Sequence, residues 1–239
     1  MPPPPPSKRS PARLVIIIGL IVVVLAALGV GGFFLLRNPF NTARVTSTPA
    51  PTIVGALYQA NLTSNPGQWD CSPTTACTFN ADGFHIKAGE KDALAQSLLL
   101  KQPFNDMVIE VKGTIAKGDK RDAGLAIVFR VPQDTMAAGY GFLIYDDGTY
   151  DVLKWDNQGN YTSLVESAAS SAIHQQLNQA NDLKIVVSGT HFTFYDNGQQ
   201  IIDTTDKAYT SGYIGLAAAG PGTEAIFSQL AITKVPAST

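Results

Sequence analysis

From Leu57 onward, apolar residues either alternate with polar ones or gather in short runs of β-branched and aromatic side chains, and each run is closed by Gly, Asn or Asp. That is the period of a strand. The runs fall at 57–60, 76–80, 83–88, 95–100, 106–116, 122–131, 139–146, 149–155, 161–166, 182–188, 191–196, 199–204, 211–218 and 224–233; only 134–139 and 170–180 show even a weak helical stripe. Glu, a strong helix former, occurs just four times in 239 residues, which agrees with a strand-rich chain. In MVIEVKGTI, Met107, Ile109, Val111 and Ile115 share one face; Phe192 and Phe194 oppose His191, Thr193 and Tyr195; Leu183, Ile185 and Val187 oppose Lys184 and Ser188. Asn197-Gly198, between HFTFYD and QQIID, and Asp147-Gly148, between GYGFLIYD and TYDVLKW, each predict a two-residue type I′ hairpin. Strands this short and this numerous, each with one apolar face, are satisfied by an all-β architecture: two antiparallel sheets packed face to face.

The first 56 residues read differently. Residues 14–36 are 23 consecutive residues without a charge or a polar side chain, enough for a helix of roughly 34 Å that crosses a hydrocarbon core. A cleaved signal peptide has a shorter apolar region and a small-x-small site, which is not evident here. Lys8, Arg9 and Arg13 precede the run and Arg37 and Arg44 follow it, so the charge bias predicts a cytoplasmic N-terminus. The expected organisation is a Pro-rich basic tail (1–13), one transmembrane helix (14–36), a Thr/Pro-rich stalk (37–56) and an extracytoplasmic domain (57–236), that is, a single-pass protein of the cell membrane. All 19 acidic residues lie beyond Leu57 against 12 of the 17 basic ones, a net charge of 12 minus 19, or −7. A domain so acidic repels phosphate backbones, which argues against nucleic acid as a partner.

Cys71 and Cys77 are the only cysteines. Six positions apart on the outer side of a membrane, they are expected to form a disulfide beside Trp69.

The succession GLAIVFR, GYGFLIYDDGTYDVLKW, NDLKIVVSGTHFTFYDNGQQIID, SGYIGLAAAG and AIFSQLAITKV resembles the concanavalin A-like lectin/glucanase superfamily. Within it, the chain is most similar to the 3-keto-disaccharide hydrolase, or family-16-glycoside-hydrolase-like, domains of membrane-anchored bacterial proteins, over about 57–236. The resemblance implies a jelly roll with a concave sheet that commonly holds carbohydrate. The superfold also hosts lectins, hydrolases and adhesion modules, so function has to be argued from the site.

Laminarinase-type relatives carry a Glu-x-Asp-x-(x)-Glu strand, because glycoside hydrolysis needs two carboxyls on one face. Here Glu110 is followed by Lys112, Glu166 and Glu224 have no acidic neighbour at that spacing, and Glu90 and Asp92 sit in a turn, so no residue is assigned a catalytic role. His85, His174 and His191 are too scattered to begin a zinc site. The runs 146–151 and 156–160 offer oxygens of the kind calcium accepts, but match no calcium loop and read first as turns; no cofactor is expected. Segment 139–161 combines Tyr140, Tyr145, Tyr150, Trp155 and Tyr161 with Asp147, Asp151, Lys154 and Asn157, the mixture of ring faces and polar groups that sugars require. Strand parity sets Tyr145 and Trp155 apart from Tyr140 and Tyr150. The expected ligand contacts are Arg130, Tyr145, Trp155, Asp147 and Asp151. A glycan-binding module heads three readings; the others are a hydrolase acting on a modified disaccharide and an ectodomain that binds protein.

Overall fold

A computed structural model describes residues 55–65, 68–72, 76–119, 122–132 and 137–236. The segment expected to cross the membrane lies outside these residues. Among those described, no helix is long and apolar enough to cross one.

Among the described residues, fifteen strands form two antiparallel sheets. The eight-stranded sheet runs β13 (Gln199–Thr205), β12 (His191–Asp196), β11 (Ala180–Ser188), β6 (Met107–Lys117), β15 (Glu224–Thr233), β4 (Gly83–Lys87) and β3 (Cys77–Asn80), with β1 (Ala56–Ala60) on the far end of β15. The seven-stranded sheet runs β10 (Tyr161–Ala169), β9 (Thr149–Trp155), β8 (Gly139–Tyr145), β7 (Gly124–Val131), β14 (Gly212–Ala219), β5 (Leu94–Phe104) and β2 (Trp69–Ser72). The all-β sandwich expected from the alternation is present. Fourteen of its strands coincide with predicted runs, and the fifteenth is β2, whose four residues, WDCS, carry too little alternation to register. Neither 137–139 nor 170–180 is helical.

The core follows the predicted parity. Met107, Ile109, Val111, Leu183, Ile185, Val187, Phe192 and Phe194 of one sheet meet Leu125, Ile127, Phe129, Phe142, Ile144 and Leu216 of the other, all at most 3% exposed. Phe129 meets Phe192 edge-on with ring centres 5.4 Å apart, and Phe142 lies 4.9 Å from Phe194. The edge-on contact of Phe129 with Phe192 satisfies the ring quadrupoles as well as filling space.

The two hairpins differ. Asn197 (φ 48°) and Gly198 (φ 79°) both adopt positive φ between the paired Asp196 and Gln199, which is the expected type I′ turn. At the β8–β9 connection only Gly148 is positive (φ 82°), and its N–H donates to the Tyr145 carbonyl at 3.1 Å. This is a type I turn ending in a left-handed glycine, a correction to the I′ expectation. Asp147 decides it: its carboxylate accepts from the Thr149 N–H (3.0 Å) and hydroxyl (2.6 Å), bracing a longer loop.

Cys71 and Cys77 are bonded, with Cα atoms 5.9 Å apart. Cys71 lies on β2, an end strand of one sheet, and Cys77 on β3, an end strand of the other, so the disulfide joins the sheets at their margin.

Candidate functional site

A sandwich of this kind needs one apolar face per sheet, but the seven-stranded sheet has two. Every residue of β7 and β8 is buried, and a second apolar cluster lies on the sheet's outer face. Ladder register arranges it in rows. One row is Tyr145, Gly124, Ala219 and Leu94; the next is Asp151, Leu143, Ala126, Ala217 and Gln96. A third is Ser163, Leu153, Gly141, Val128, Gly215 and Leu98, and Tyr161, Trp155 and Gly139 make a fourth.

Small residues occupy the middle of this face, and larger ones lean over them. A Cβ on Gly141 would lie 3.2 Å from Leu143 and 3.4 Å from Leu153, while one on Gly139 would meet Val131 at 3.0 Å and Trp155 at 3.2 Å. Trp155 and Tyr161, paired directly across β9 and β10, stack with ring centres 6.4 Å apart and planes 24° from parallel. Trp155 is 7% and Tyr145 5% exposed, whereas Tyr161 is half-buried, so Tyr161 presents the more open ring. The Tyr145 hydroxyl donates to Asp151 at 2.8 Å, and the Ser167 N–H donates to the other oxygen of the same carboxylate.

Of the five predicted contacts, the structure gathers Tyr145, Trp155 and Asp151 on this face. Asp147 serves the adjoining turn. Arg130 is elsewhere, although its parity with Ala126 and Val128 would place it alongside them. The β7–β14 ladder shifts register here and Arg130 adopts φ 50°, and this bulge turns the side chain into the sandwich. There it is 1% exposed, stacked over Phe192 at 5.2 Å, donating to the Tyr209 carbonyl at 3.0 Å and pairing with Asp106 at 3.2 Å. Burial pulls the guanidinium below its ordinary pKa, with Asp106 opposing the shift.

Beside it lies a polar network centred on Asp206. Its carboxylate accepts from the Tyr140 hydroxyl (2.7 Å), from the Ala208 N–H (2.8 Å) and from Lys154; the Tyr209 hydroxyl donates to the Trp155 carbonyl at 2.8 Å. Burial pushes the Tyr140 phenol far above its ordinary value, and the hydrogen bond to Asp206 adds to that. Burial would also raise Asp206, but its bonds to Lys154 and Tyr140 leave it below the ordinary carboxylate range. Through Tyr209 this network fixes the backbone of Trp155. Sequence reasoning named Tyr161 in the aromatic segment but not among the five contacts, and it missed the glycine floor and Tyr213, which packs half-buried against this cluster. The available signal was the loss of alternation in β7 and β8, which marks a strand covered on both faces.

Residues 49–233 match the family of 3-keto-alpha-glucoside-1,2-lyase-like domains. The chain belongs to that family. It is 27% identical over 172 residues to a levanase of Bacillus subtilis (strain 168), an alignment covering 68% of this chain and 24% of the levanase, so the chain spans about a quarter of that protein's length. Among solved structures it is similar to the carbohydrate binding module CBM66 from Bacillus subtilis, with a TM-score of 0.60 and 21% identity, over 70% of this chain and 96% of that one. A Bacillus licheniformis beta-glucanase superposes with a TM-score of 0.53 at 14% identity, covering 77% of this chain and 100% of the other. These likenesses establish the concanavalin A-like sandwich as the fold of the domain.

Proposed function

We propose that the domain is a carbohydrate-binding module that takes glycan along the Trp155–Tyr161 edge of the seven-stranded sheet. The observation that carries the reading is the outer face itself. It is apolar where a sandwich sheet would ordinarily be polar, it is bordered by a stacked aromatic pair, and it has Asp151 and Gln96 within its rows. Ring faces cover the C–H face of a sugar while the carboxylate and amide take its hydroxyls. The levanase relative and the CBM66 fold support a glycan ligand, and the uncharged run at 14–36 supports display from a membrane by a single anchor.

A second reading, a lyase or hydrolase acting on a modified disaccharide, is favoured by the family's name. Asp151 on β9 and Asp70, opposite Leu98 on β2, do not make a two-carboxyl pair: they are separated by five strand intervals, about 24 Å, far beyond the 9.5 Å limit of such pairs. Both readings are tested by applying the full chain to a glycan array that includes levan, alongside a turnover screen on 3-keto-glucosides. Saturable binding that falls about tenfold in Tyr161→Ala and further in Trp155→Ala, without turnover, is expected. Turnover would establish the enzyme reading; binding indifferent to both substitutions would remove this face as the site.

A further inference from the structure

We infer that the outer face of the eight-stranded sheet carries a second ligand site, a groove for a short neutral oligosaccharide, separate from the Trp155–Tyr161 face. The groove has a volume of about 440 Å³, within the range of small-molecule sites, and four adjacent strands line it: Tyr195 comes from β12, Asp182 and Lys184 from β11, Glu110 and Lys112 from β6, and Gln229 from β15. Tyr195 and Gln229 stand three strand intervals apart, about 14 Å, a span that suits a short chain of sugar rings better than a single one.

Ladder register builds the floor. Lys184 lies between Tyr195 and Glu110 in one row, and Asp182 faces Lys112 in the next. Lys184 pairs with Glu110 and Lys112 with Asp182, each at 3.2 Å, so two cations and two anions alternate across the groove. A ligand with a net charge of either sign meets as many like charges as opposite ones. A hydroxyl, donor and acceptor at once, is served by both. Each ion pair engages one carboxylate oxygen and one of the three ammonium donors, which leaves bonding capacity for a polyol.

Cross-strand charge pairs are also how a solvated sheet face is built, and it is the two ends that set this groove apart. At one end the Tyr195 ring is half-buried, and a Cβ on Gly198, which lines the same groove, would meet nothing within 4 Å, so the approach is open. At the other end the β6–β15 ladder shifts between Ser228 and Ala231, and Gln229 and Leu230 together oppose Val111. Leu230 fills the core at 0% exposure, while Gln229 is exposed on the groove and held at φ 55°. Glycine adopts that left-handed state without steric cost, and glutamine does not. A bulge that holds a strained polar side chain on the wall of a groove is a device for aiming it at a ligand. The result is a ring for the C–H face of a sugar at one end, an amide at the other, and a charge-balanced floor for hydroxyls between them.

The test follows backbone amide chemical shifts of the isotope-labelled full chain during titration with maltotriose, cellotriose and kestose, and with two charged counterparts, trigalacturonate and the glucosamine trimer. At least one neutral trisaccharide should give saturable shifts at Tyr195, Gly198 and Gln229 with a dissociation constant of about 1 mM, and the charged trimers should bind at least about tenfold more weakly. Tyr195→Ala should weaken the neutral binding about tenfold. Gln229→Gly, which relaxes the left-handed backbone and removes the amide, should weaken it about threefold with no fall in the thermal midpoint, a pattern that a merely structural glutamine would not give. The inference is overturned if no neutral trisaccharide shifts these amides, if a charged trimer binds as tightly, or if both variants bind as wild type does. Gln229→Gly decides the matter should Tyr195→Ala fail to fold. The Trp155 and Tyr161 amides are read in the same titrations: shifts there without shifts at the groove overturn this inference alone, and the reverse overturns only the proposal for that face.

Discussion

Replacing Asp206 by Ala should be among the costlier single changes outside the apolar core. The Tyr140 hydroxyl, on a residue with 0% exposure, would lose its acceptor, and a buried donor left unpaired costs about 1–3 kcal/mol. Lys154, with 27% of its side chain exposed, would lose a charged partner but regain some water, which limits its share to roughly 1 kcal/mol. The Ala208 N–H is at the surface and rehydrates cheaply. The sum is about 2–4 kcal/mol, a large fraction of the roughly 5–15 kcal/mol by which domains are stable. Asp206→Asn, which keeps an acceptor and removes the charge, should cost less than half of that. Because the folded-state pKa of Asp206 is depressed, its charge stabilises the protein above the unfolded carboxylate value, near 4, and that stabilisation is lost as pH falls through the folded value. Urea unfolding followed by tryptophan fluorescence measures the whole series, since Trp155 reports on the neighbouring backbone. A cost below about 1 kcal/mol for Asp206→Ala, or a gap between wild type and Asp206→Asn that stays constant down to about pH 2, would refute the reasoning.

Two further outcomes follow from other parts of the sandwich. Burial acts to lower the His85 pKa, but hydrogen bonds to Glu224 (2.7 Å) and Asp82 (2.9 Å) win and raise it. The stabilisation from charged His85 is therefore complete below about pH 6.5 and lost as pH rises through the folded value; His85→Gln should flatten the pH dependence of the thermal midpoint on the alkaline side, and an unchanged slope would contradict this. Reducing the Cys71–Cys77 bond should destabilise the protein by less than the roughly 3 kcal/mol of a 15-residue loop, because so few residues are enclosed. Its larger effect should be local, seen as faster amide exchange at β2 and β3 with little change at β7 and β8; uniform acceleration would mean that the bond supports the whole sandwich.

Much of this was written locally in the chain. The alternation of Met107, Ile109 and Val111, the Asn197-Gly198 turn and the spacing of the cysteines depend on neighbours in sequence, and the two sheets, one hairpin and the disulfide followed from them. The separation of Tyr145 and Trp155 from Tyr140 and Tyr150 was legible too, because side-chain direction in a regular strand obeys a period of two. Arg130 was not legible in that way. A left-handed residue in mid-strand reverses the parity beyond it, and an arginine carries no sign of adopting that state as a glycine would. Nor could the rows of the outer face be read from sequence. Gly215 sits between Val128 and Leu98 only because strands distant in the chain are hydrogen-bonded in one order. The same holds for Asp196 at the end of β12, whose burial without a hydrogen-bond partner is set by the segments packed around it. Local backbone preference specifies which segments become strands; the register between remote strands, which depends on packing across the whole sheet, decides which side chains share a surface.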